Sequence, residues 1–169
     1  MSSTWTTRAE TSQDIPAIRE VALSAFPTAL EADLIEALRR DPAWSPELSI
    51  VAETSDATIA GYALLTRCHV GTTPALALGP CAVTPRFQKQ GAGSAAIHAA
   101  LLAARDKGAN LVLVLGHPEY YPRFGFIPAS TFGIRPSFEV PDEAMMALVF
   151  DDTIPVPSGT IVYPAPFGV

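Results

Sequence analysis

The chain reads Val83-Thr84-Pro85-Arg86-Phe87-Gln88-Lys89-Gln90-Gly91-Ala92-Gly93-Ser94 where an apolar strand is predicted to end and a long helix to begin. Gly91 and Gly93 allow the backbone of this turn to approach a ligand closely. The first turn of a helix carries amide groups without intrahelical partners, and the helix dipole behind them favours an anion. Lys89 adds a positive charge at the rim. The stretch therefore predicts a pyrophosphate site, although small residues at a helix start also serve close packing.

Two familiar phosphate-binding sequences differ from this one. A P-loop has a lysine directly after its second glycine, whereas here an alanine or a serine follows each glycine. A dinucleotide fingerprint has three spaced glycines and an acidic residue about twenty residues later. This stretch has two glycines and is preceded by a proline. A nucleotide site built on the same glycines remains a weaker alternative.

The spacing of apolar residues predicts the elements on both sides of the turn. The helix over residues 29–40 is expected to bury Leu30, Leu34, Ala37 and Leu38. Gly79-Pro80 is expected to interrupt a strand and to produce a bulge or a local parting of strands, because proline cannot donate to the ladder. Strands are predicted over 4–10, 48–54, 59–70, 75–83, 111–115, 144–150 and 160–163, and helices over 15–26, 29–40, 90–107 and, for one turn, 120–124.

This order of elements predicts an α/β or α+β fold with a mixed sheet. The length of 169 residues fits a single domain over residues 1–169. With 49% hydrophobic and 17% charged residues, the chain is too apolar to be disordered. No apolar run approaches the roughly 18 residues of a membrane span, and the start shows no secretion signal. Two cysteines indicate a reducing, cytoplasmic location.

The charges are unevenly distributed along the chain. The formal net charge of −6 disfavours nucleic acid as a general partner. Residues 57–105 nevertheless contain Arg67, Arg86, Lys89 and Arg105 and no carboxylate. This local positive charge suits an anionic ligand, although buried strands and a packed helix also exclude charge.

Two motifs in this region resemble those of the GNAT superfamily of N-acetyltransferases. Gln88-x-x-Gly91-x-Gly93, preceded by Ala82-Val83-x-Pro85, is similar to the acetyl-CoA signature of that family. The later run Gly116-His117-Pro118-Glu119-Tyr120-Tyr121-Pro122-Arg123-Phe124-Gly125-Phe126 resembles its Tyr-x-x-x-Gly-Phe element. The match covers about residues 76 to 130 and is similar to a bacterial branch of predicted N-acetyltransferases. The resemblance implies the family's fold, a mostly antiparallel mixed sheet with a splayed strand pair and flanking helices.

The resemblance also implies acetyl-CoA as cosubstrate. The backbone of the strand before the signature would pair with the pantetheine arm, and an amide of Cys81 or Ala82 would polarise the thioester carbonyl. The Cys81 side chain itself is expected to be a small buried apolar group. No cluster has metal-ligand spacing, so no metal is implied. The cofactor-binding residues implied in this way are Cys81, Ala82, Val83, Gln88, Lys89, Gln90, Gly91, Ala92, Gly93 and Ser94.

Tyr121 lies four residues before Gly125, where the family's tyrosine often reprotonates the leaving CoA thiolate. Packing under the helical turn is the alternative for Tyr121, and Tyr120 is expected to be structural. The resemblance does not assign the base that deprotonates the amine, because Gly116-His117-Pro118-Glu119 replaces the sequence that commonly precedes the tyrosine in the family. The nearest titratable candidates are His117 and Glu119, with Glu31 and Asp33 near the helix pair that usually shapes the acceptor pocket.

The resulting hypothesis is direct acetyl transfer from acetyl-CoA to an amine, without an acyl-enzyme. The acceptor would be a small molecule or a peptide, with no nucleic acid or membrane as partner, and the protein a monomer or homodimer. A non-catalytic acyl-CoA-binding module of the same fold is the alternative.

Overall fold

The computed structural model describes residues 5–169, so Thr4 of the first predicted strand lies outside the described residues. No helix in that part of the chain is long and apolar enough to cross a membrane. The strands are β1 (Thr6–Ala9), β2 (Ser49–Glu53), β3 (Ile59–Val70), β4 (Thr73–Val83), β5 (Leu111–Leu115), β6 (Ile127–Pro128), β7 (Ile134–Arg135), β8 (Met145–Val149) and β9 (Gly159–Val162), and the α-helices are α1 (Ile15–Ala25), α2 (Leu30–Arg39) and α3 (Ala92–Asp106).

The strands form one mixed sheet in the order β1-β2-β3-β4-β5-β8-β6. β4 and β5 are parallel because α3 connects them, whereas the other neighbours along this path are antiparallel. β9 pairs with the end of β3 and, in parallel, with β7. This architecture confirms the predicted mixed α/β sheet with flanking helices.

β4 and β5 part from each other near Gly79-Pro80. Their pairing covers only residues 76–78 of β4 and 112–114 of β5. Beyond that point β4 stays paired with β3 as far as Val83 opposite Gly61, with a register shift between Ala63 and Leu65. The predicted parting of strands is confirmed, but β4 is one continuous strand from Thr73 rather than an interrupted one from Ala75. The result is an opening in the sheet between the ends of β4 and β5.

Core residues alternate between the two faces of the sheet. Ala63 and Leu65 of β3 face α3, whereas Tyr62 and Leu64 between them face α1 and α2. On that second face, the part over β4, β5 and β8 is covered by the chain around β7 and β9, in a cluster that includes Leu113, Ile134, Met145 and Ile161. At the opening between β4 and β5, one face of the sheet is therefore covered by α3 and the other by the chain around β7 and β9.

The predicted buried face of α2 is confirmed at Leu38 but wrong at Leu30 and Ala37, which are not among the buried residues. Leu30 is 74% exposed, and the buried residues are Ala32, Ile35 and Leu38. Leu34 only packs at the margin of that core. The apolar residues of α2 are too many to lie on one face of the helix. Their periodicity therefore predicts a helix, but only its contacts with α1 and β3 determine which face is buried.

Asp14 lies just before α1, but its carboxylate does not cap that helix. It accepts hydrogen bonds from the Thr11 amide (2.6 Å) and from the Arg8 guanidinium (2.7 and 3.0 Å). The hydrogen bond from Arg8, more than the Thr11 amide, lowers the pKa of Asp14 from 3.8 to about 2. β1 is thereby tied to the start of α1.

Asp14→Asn is therefore expected to lower the free energy of unfolding by about 1–2 kcal/mol at pH 7. Because the carboxyl pKa is depressed in the folded state, this contribution is present above pH 4 and is lost as the pH falls towards 2. Urea unfolding at pH 7 and at pH 2.5 measures both values. Asp33→Asn is the control, because the Asp33 side chain is 63% exposed in its ion pair with Arg19 and should contribute little. Equal losses in the two variants at pH 7 would contradict this assignment.

Candidate functional site

The turn between β4 and α3 has two residues in the left-handed region, Lys89 (φ 63°) and Gly91 (φ 90°). The first hydrogen bond of α3 runs from the Ala95 amide to the Gly91 carbonyl at 2.9 Å. Among the described residues, the amides of Ala92, Gly93 and Ser94 make no backbone hydrogen bond of good geometry. Such amides at a helix start, beside a left-handed residue, form a concave site suited to an anion.

Side chains brace this turn from outside. The Trp5 indole donates to the Gln90 carbonyl at 2.9 Å, and its ring packs edge-on against Phe87. The side-chain amide of Gln88 donates to the Val83 carbonyl at 3.3 Å, and that of Gln90 donates to the Arg86 carbonyl at 3.0 Å. Both glutamines are thus engaged with the backbone of the turn itself. They shape the turn, which leaves its backbone amides as the groups that can hold a ligand.

The two glycines of the signature serve different physical needs. A Cβ on Gly93 would lie 2.9 Å from Val83 Cγ2, so Gly93 permits close packing of α3 on the end of β4. Gly61 on β3 has the same role, since its Cβ would lie 3.0 Å from the Ala92 carbonyl oxygen. Gly91 has no such close contact, and its left-handed φ explains the glycine there. Close packing therefore explains Gly93, and the left-handed backbone explains Gly91.

Three cations surround the start of α3 without a carboxylate within 4.0 Å among residues 5–169. Arg86 lies over the Phe87 ring at 4.5 Å, and Arg123 lies over the Tyr120 ring at 4.3 Å. Lys89 extends from the turn itself. In contrast, Arg8, Arg19, Arg39 and Lys107 each face a carboxylate. Arg40, Arg67, Arg105 and Arg135 also have no carboxylate within 4.0 Å, so the positive charge of the turn follows from the position of Arg86 and Lys89 within it.

Tyr121 lies at the end of the opening between β4 and β5. A Cβ on Gly116, directly after β5, would overlap the Tyr121 ring, so the absence of a side chain there creates the space for this tyrosine. The Tyr121 and Cys81 side chains pack against the same core cluster, and the nearby Tyr121 hydroxyl lowers the pKa of the Cys81 thiol against the larger effect of burial. The structure thus brings together the candidate acid and the strand whose amides would polarise a thioester.

Burial determines the protonation state of both groups. It raises the pKa of the Cys81 thiol to about 12, although the Leu64 amide and the Tyr121 hydroxyl partly oppose the shift. A thiol with this pKa is a poor nucleophile at neutral pH. Burial also raises the pKa of Tyr121 well above its usual range. Tyr121 is therefore a protonated phenol throughout the working range of an enzyme and can donate a proton.

His117 and Glu119 lie on the exposed loop before Tyr121. Their side chains are 83% and 77% exposed, and His117 Nδ1 lies 3.8 Å from Glu119 Oε1. The structure does not bring either of them among the buried groups around Tyr121. Of the acidic candidates on α2, Asp33 pairs with Arg19 at 3.0 Å.

Two contacts in this region have no signal in the sequence. Trp5 braces the turn from 85 residues away in the chain, and Ser94 Oγ lies 2.8 Å from the Tyr120 hydroxyl. Neither contact has a periodic or spacing signal, because each joins elements that only the tertiary fold brings together. Residues 5–169 contain no group of three His, Cys, Asp or Glu residues that could hold a metal ion.

Comparison with known proteins agrees with this architecture. The profile of the Acetyltransferase (GNAT) family matches residues 15–126. The chain is 36% identical over 135 residues to the Escherichia coli (strain K12) protein named Uncharacterized N-acetyltransferase YjhQ, covering 77% of this chain and 74% of that protein.

Solved structures show the same fold. The GNAT family N-acetyltransferase YhbS from Escherichia coli, in complex with CoA, superposes with a TM-score of 0.91 at 23% identity, covering 100% of this chain and 94% of that one. A GNAT family acetyltransferase from Brucella melitensis, in complex with acetyl-CoA, has a TM-score of 0.79 at 28% identity, covering 97% and 98%. The family profile, the curated relative and the shared fold lead to one conclusion: the chain belongs to the GNAT acetyltransferase family.

Proposed function

We propose that this protein is an N-acetyltransferase that moves an acetyl group directly from acetyl-CoA to an amine. The observation that carries the proposal is the opening between β4 and β5, which has the free amides of α3 at one side and the Tyr121 ring over Gly116 at the other. Acetyl-CoA carries a pyrophosphate near one end and a thioester near the other. A site for it therefore needs an anion-binding turn and, apart from that turn, a proton donor. CoA and acetyl-CoA in the two related structures support the choice of cosubstrate.

The turn before α3 would hold the pyrophosphate of acetyl-CoA. The Gln88 amide already donates to the Pro85 carbonyl at 3.2 Å, so the amides of residues 89–94 would donate to the phosphate oxygens, and Lys89 and Arg86 would add positive charge at the rim. The free edge of β4 beyond Leu78 would pair with the amides of the pantetheine arm, as an added strand does. The residues proposed to bind the cosubstrate are those predicted from the sequence, namely Cys81, Ala82, Val83, Gln88, Lys89, Gln90, Gly91, Ala92, Gly93 and Ser94.

The reaction would proceed in two steps. A neutral amine attacks the thioester carbonyl, and the negative charge that develops on oxygen is stabilised by a backbone amide of Cys81 or Ala82. The C–S bond then breaks, the CoA thiolate leaves and takes a proton from the Tyr121 hydroxyl, and the amide product departs, after which the Tyr121 phenolate regains a proton from solvent. The amine loses its protons to solvent or to a base, for which the exposed His117 and Glu119 remain the nearest candidates.

A non-catalytic acyl-CoA-binding protein is the second candidate. This alternative is favoured by the exposure of His117 and Glu119, because neither of these candidate bases is buried beside Tyr121. Such a protein would bind acetyl-CoA and release no thiol in the presence of amines. A panel of small amines and peptides with a thiol reagent distinguishes the two functions, since acceptor-dependent thiol release supports only the transferase.

Trp5 offers a direct measurement of cosubstrate binding. Its indole donates to the Gln90 carbonyl in the turn, whereas Trp44, the other tryptophan, lies under Arg39, half-buried against the core beside α2. In a Trp44→Phe variant, acetyl-CoA and CoA are therefore expected to change the Trp5 fluorescence with saturation, and ATP is not. The Trp5→Phe variant, which retains Trp44, is the control and should show little change. An equal response to ATP would support a general nucleotide site instead.

A further inference from the structure

A groove of about 620 Å³ lies on the face of the sheet opposite α3. Ile134 of β7 and Met145 of β8 line it, and both belong to the core cluster on that face. The connection between these two strands forms its wall, with Phe138 and Val140 among the lining residues. The volume is within the range of sites that hold small ligands. This cavity is the β7–β8 groove.

The β7–β8 groove adjoins the opening between β4 and β5. Met145 lies directly opposite Leu115 in the β5–β8 pair, and neighbouring strands are about 5 Å apart. Leu115 follows Val114, the last residue of β5 that pairs with β4, so Leu115 borders the opening. Side chains alternate along a strand, so Leu115 shares the groove face with Leu113, and it is 43% exposed there. A ligand in the groove can therefore reach the opening from the face opposite Tyr121, which packs on the α3 side.

The wall of the groove is tied to the sheet at both ends. β7 pairs with β9 at one end, and at the other the Gly116 amide donates to the Ala144 carbonyl at 3.0 Å. Between these ends, Pro136 and Pro141 each have a fixed φ. The groove is therefore preformed, which reduces the entropy that is lost when a ligand binds.

Unpaired charges of both signs line this groove. Arg135, Glu139 and Asp142 all border the cavity and are exposed. Among the residues that the structure describes, none of the three lies within 4.0 Å of a group of opposite charge. A cavity that presents both signs at separate points is complementary to a ligand that carries both charges.

The two signs lie at different ends of the groove. Asp142 begins a 3₁₀ turn that leads directly into Met145, so it lies near the opening. Arg135 pairs with Thr160 of β9, and β9 pairs with β3 only at His69 and Val70, the end of β3 remote from the opening. A molecule with its amine at Asp142 and its carboxylate at Arg135 therefore has the amine beside the opening.

We infer that the β7–β8 groove holds the acceptor and that the acceptor is a zwitterion, an amine that also carries a carboxylate. This inference rests on the proposed function. The Arg135 guanidinium binds the carboxylate, for which its planar donors are suited, and Asp142 attracts the ammonium group. After the amine has lost its protons to solvent, its nitrogen forms the C–N bond with the thioester carbon, and the C–S bond breaks as described above.

The test measures thiol release with matched acceptors. The panel contains ω-amino acids and di- and tripeptides, each beside its C-terminal carboxamide, and it includes 1,6-diaminohexane and spermidine as purely cationic amines. The best carboxylate should have a kcat/KM about 10-fold or more above that of its carboxamide, the ratio expected from a hydrogen bond between charged groups. In the longer compounds the terminal group is too distant to change the basicity of the amine.

Three variants test the assignment of each charge. Arg135→Gln should lower kcat/KM for the carboxylate to that of the carboxamide and leave the affinity for acetyl-CoA unchanged, whereas Arg135→Lys should retain part of the preference. Asp142→Asn should lower kcat/KM by the same factor for both compounds, because both carry the ammonium group. Arg40→Gln is the matched control, since Arg40 is an exposed arginine that also has no carboxylate within 4.0 Å and does not line the groove.

Two results overturn this inference and leave the transferase in place. One is equal or faster turnover of the carboxamides or the purely cationic amines, and the other is a carboxylate preference that both Arg135 variants retain in full. A third result has a different meaning. If no compound of the panel releases thiol although Trp5 fluorescence shows that acetyl-CoA binds, the proposed transferase function fails, and the zwitterionic acceptor fails with it.

Discussion

Tyr121→Phe should lower the rate constant for acetyl transfer by about 10²-fold or more while leaving the affinity for acetyl-CoA nearly unchanged. The phenylalanine ring still fills the space over Gly116, so only the hydroxyl is lost. Without it the thiolate must leave unprotonated or find a proton in water, and a positioned general acid contributes about 10²–10⁴-fold. Thiol release gives the rate constant, and Trp5 fluorescence gives the affinity.

Tyr163→Phe is the matched control for that variant. Tyr163 is also a half-buried tyrosine with its pKa raised by burial, to about 12, but its hydroxyl donates to Met145 Sδ at 3.8 Å on the other face of the sheet. Its loss should leave turnover intact. A fully active Tyr121→Phe variant would remove Tyr121 as the acid.

The raised pKa of Tyr121 also predicts a pH profile. A phenol must be protonated to act as an acid, and burial raises the pKa of this one above its usual value of 10.0. Activity should therefore not decline through ionisation of Tyr121 below pH 10. If activity declines with rising pH below pH 10 and the Tyr121→Phe variant shows no such decline, the assigned protonation state of Tyr121 is wrong.

The sequence predicted those parts of the fold that have a local signal. β3 begins and ends at the predicted residues, and the interruption at Gly79-Pro80 correctly indicated where the strands part. β6 and β7 have only two residues each, too few for any periodicity, and they exist because β8 and β9 offer them partners. The buried face of α2 was unpredictable for a related reason, since its two apolar stripes are distinguished only by their tertiary contacts.

The candidate site also has residues that the sequence predicts and residues that only the fold reveals. Gly91, Gly93 and Tyr121 occupy positions that a motif specifies, and the structure places them around one opening. Trp5 and Tyr120 hold these groups through contacts between distant parts of the chain, at 2.9 Å and 2.8 Å, which no spacing rule encodes. Motifs therefore identify the atoms proposed to meet the cosubstrate, while the residues that hold those atoms in place emerge only from the fold.

Gly91→Val should weaken acetyl-CoA binding by at least about 100-fold and leave the secondary structure intact. A β-branched residue is strained at φ 90°, so the turn must change its conformation. The amides of Ala92 and Gly93 then no longer converge, and each hydrogen bond to a charged group is worth about 1.5–3 kcal/mol. The added side chain would also reach Trp5, whose Nε1 lies 3.7 Å from the position of a Cβ at Gly91.

Gly108→Val separates this loss of binding from a loss of stability. Gly108 has φ 88°, follows the C-terminal end of the same helix, and has no atom within 4 Å of an added Cβ. Both variants should therefore lose stability through similar backbone strain, of about 1–3 kcal/mol. Only Gly91→Val should lose acetyl-CoA, because only the N-terminal end of α3 presents free amides and a favourable dipole to an anion. Equal weakening of binding in the two variants would mean that the glycines serve the helix alone, and the phosphate site would have to be sought elsewhere.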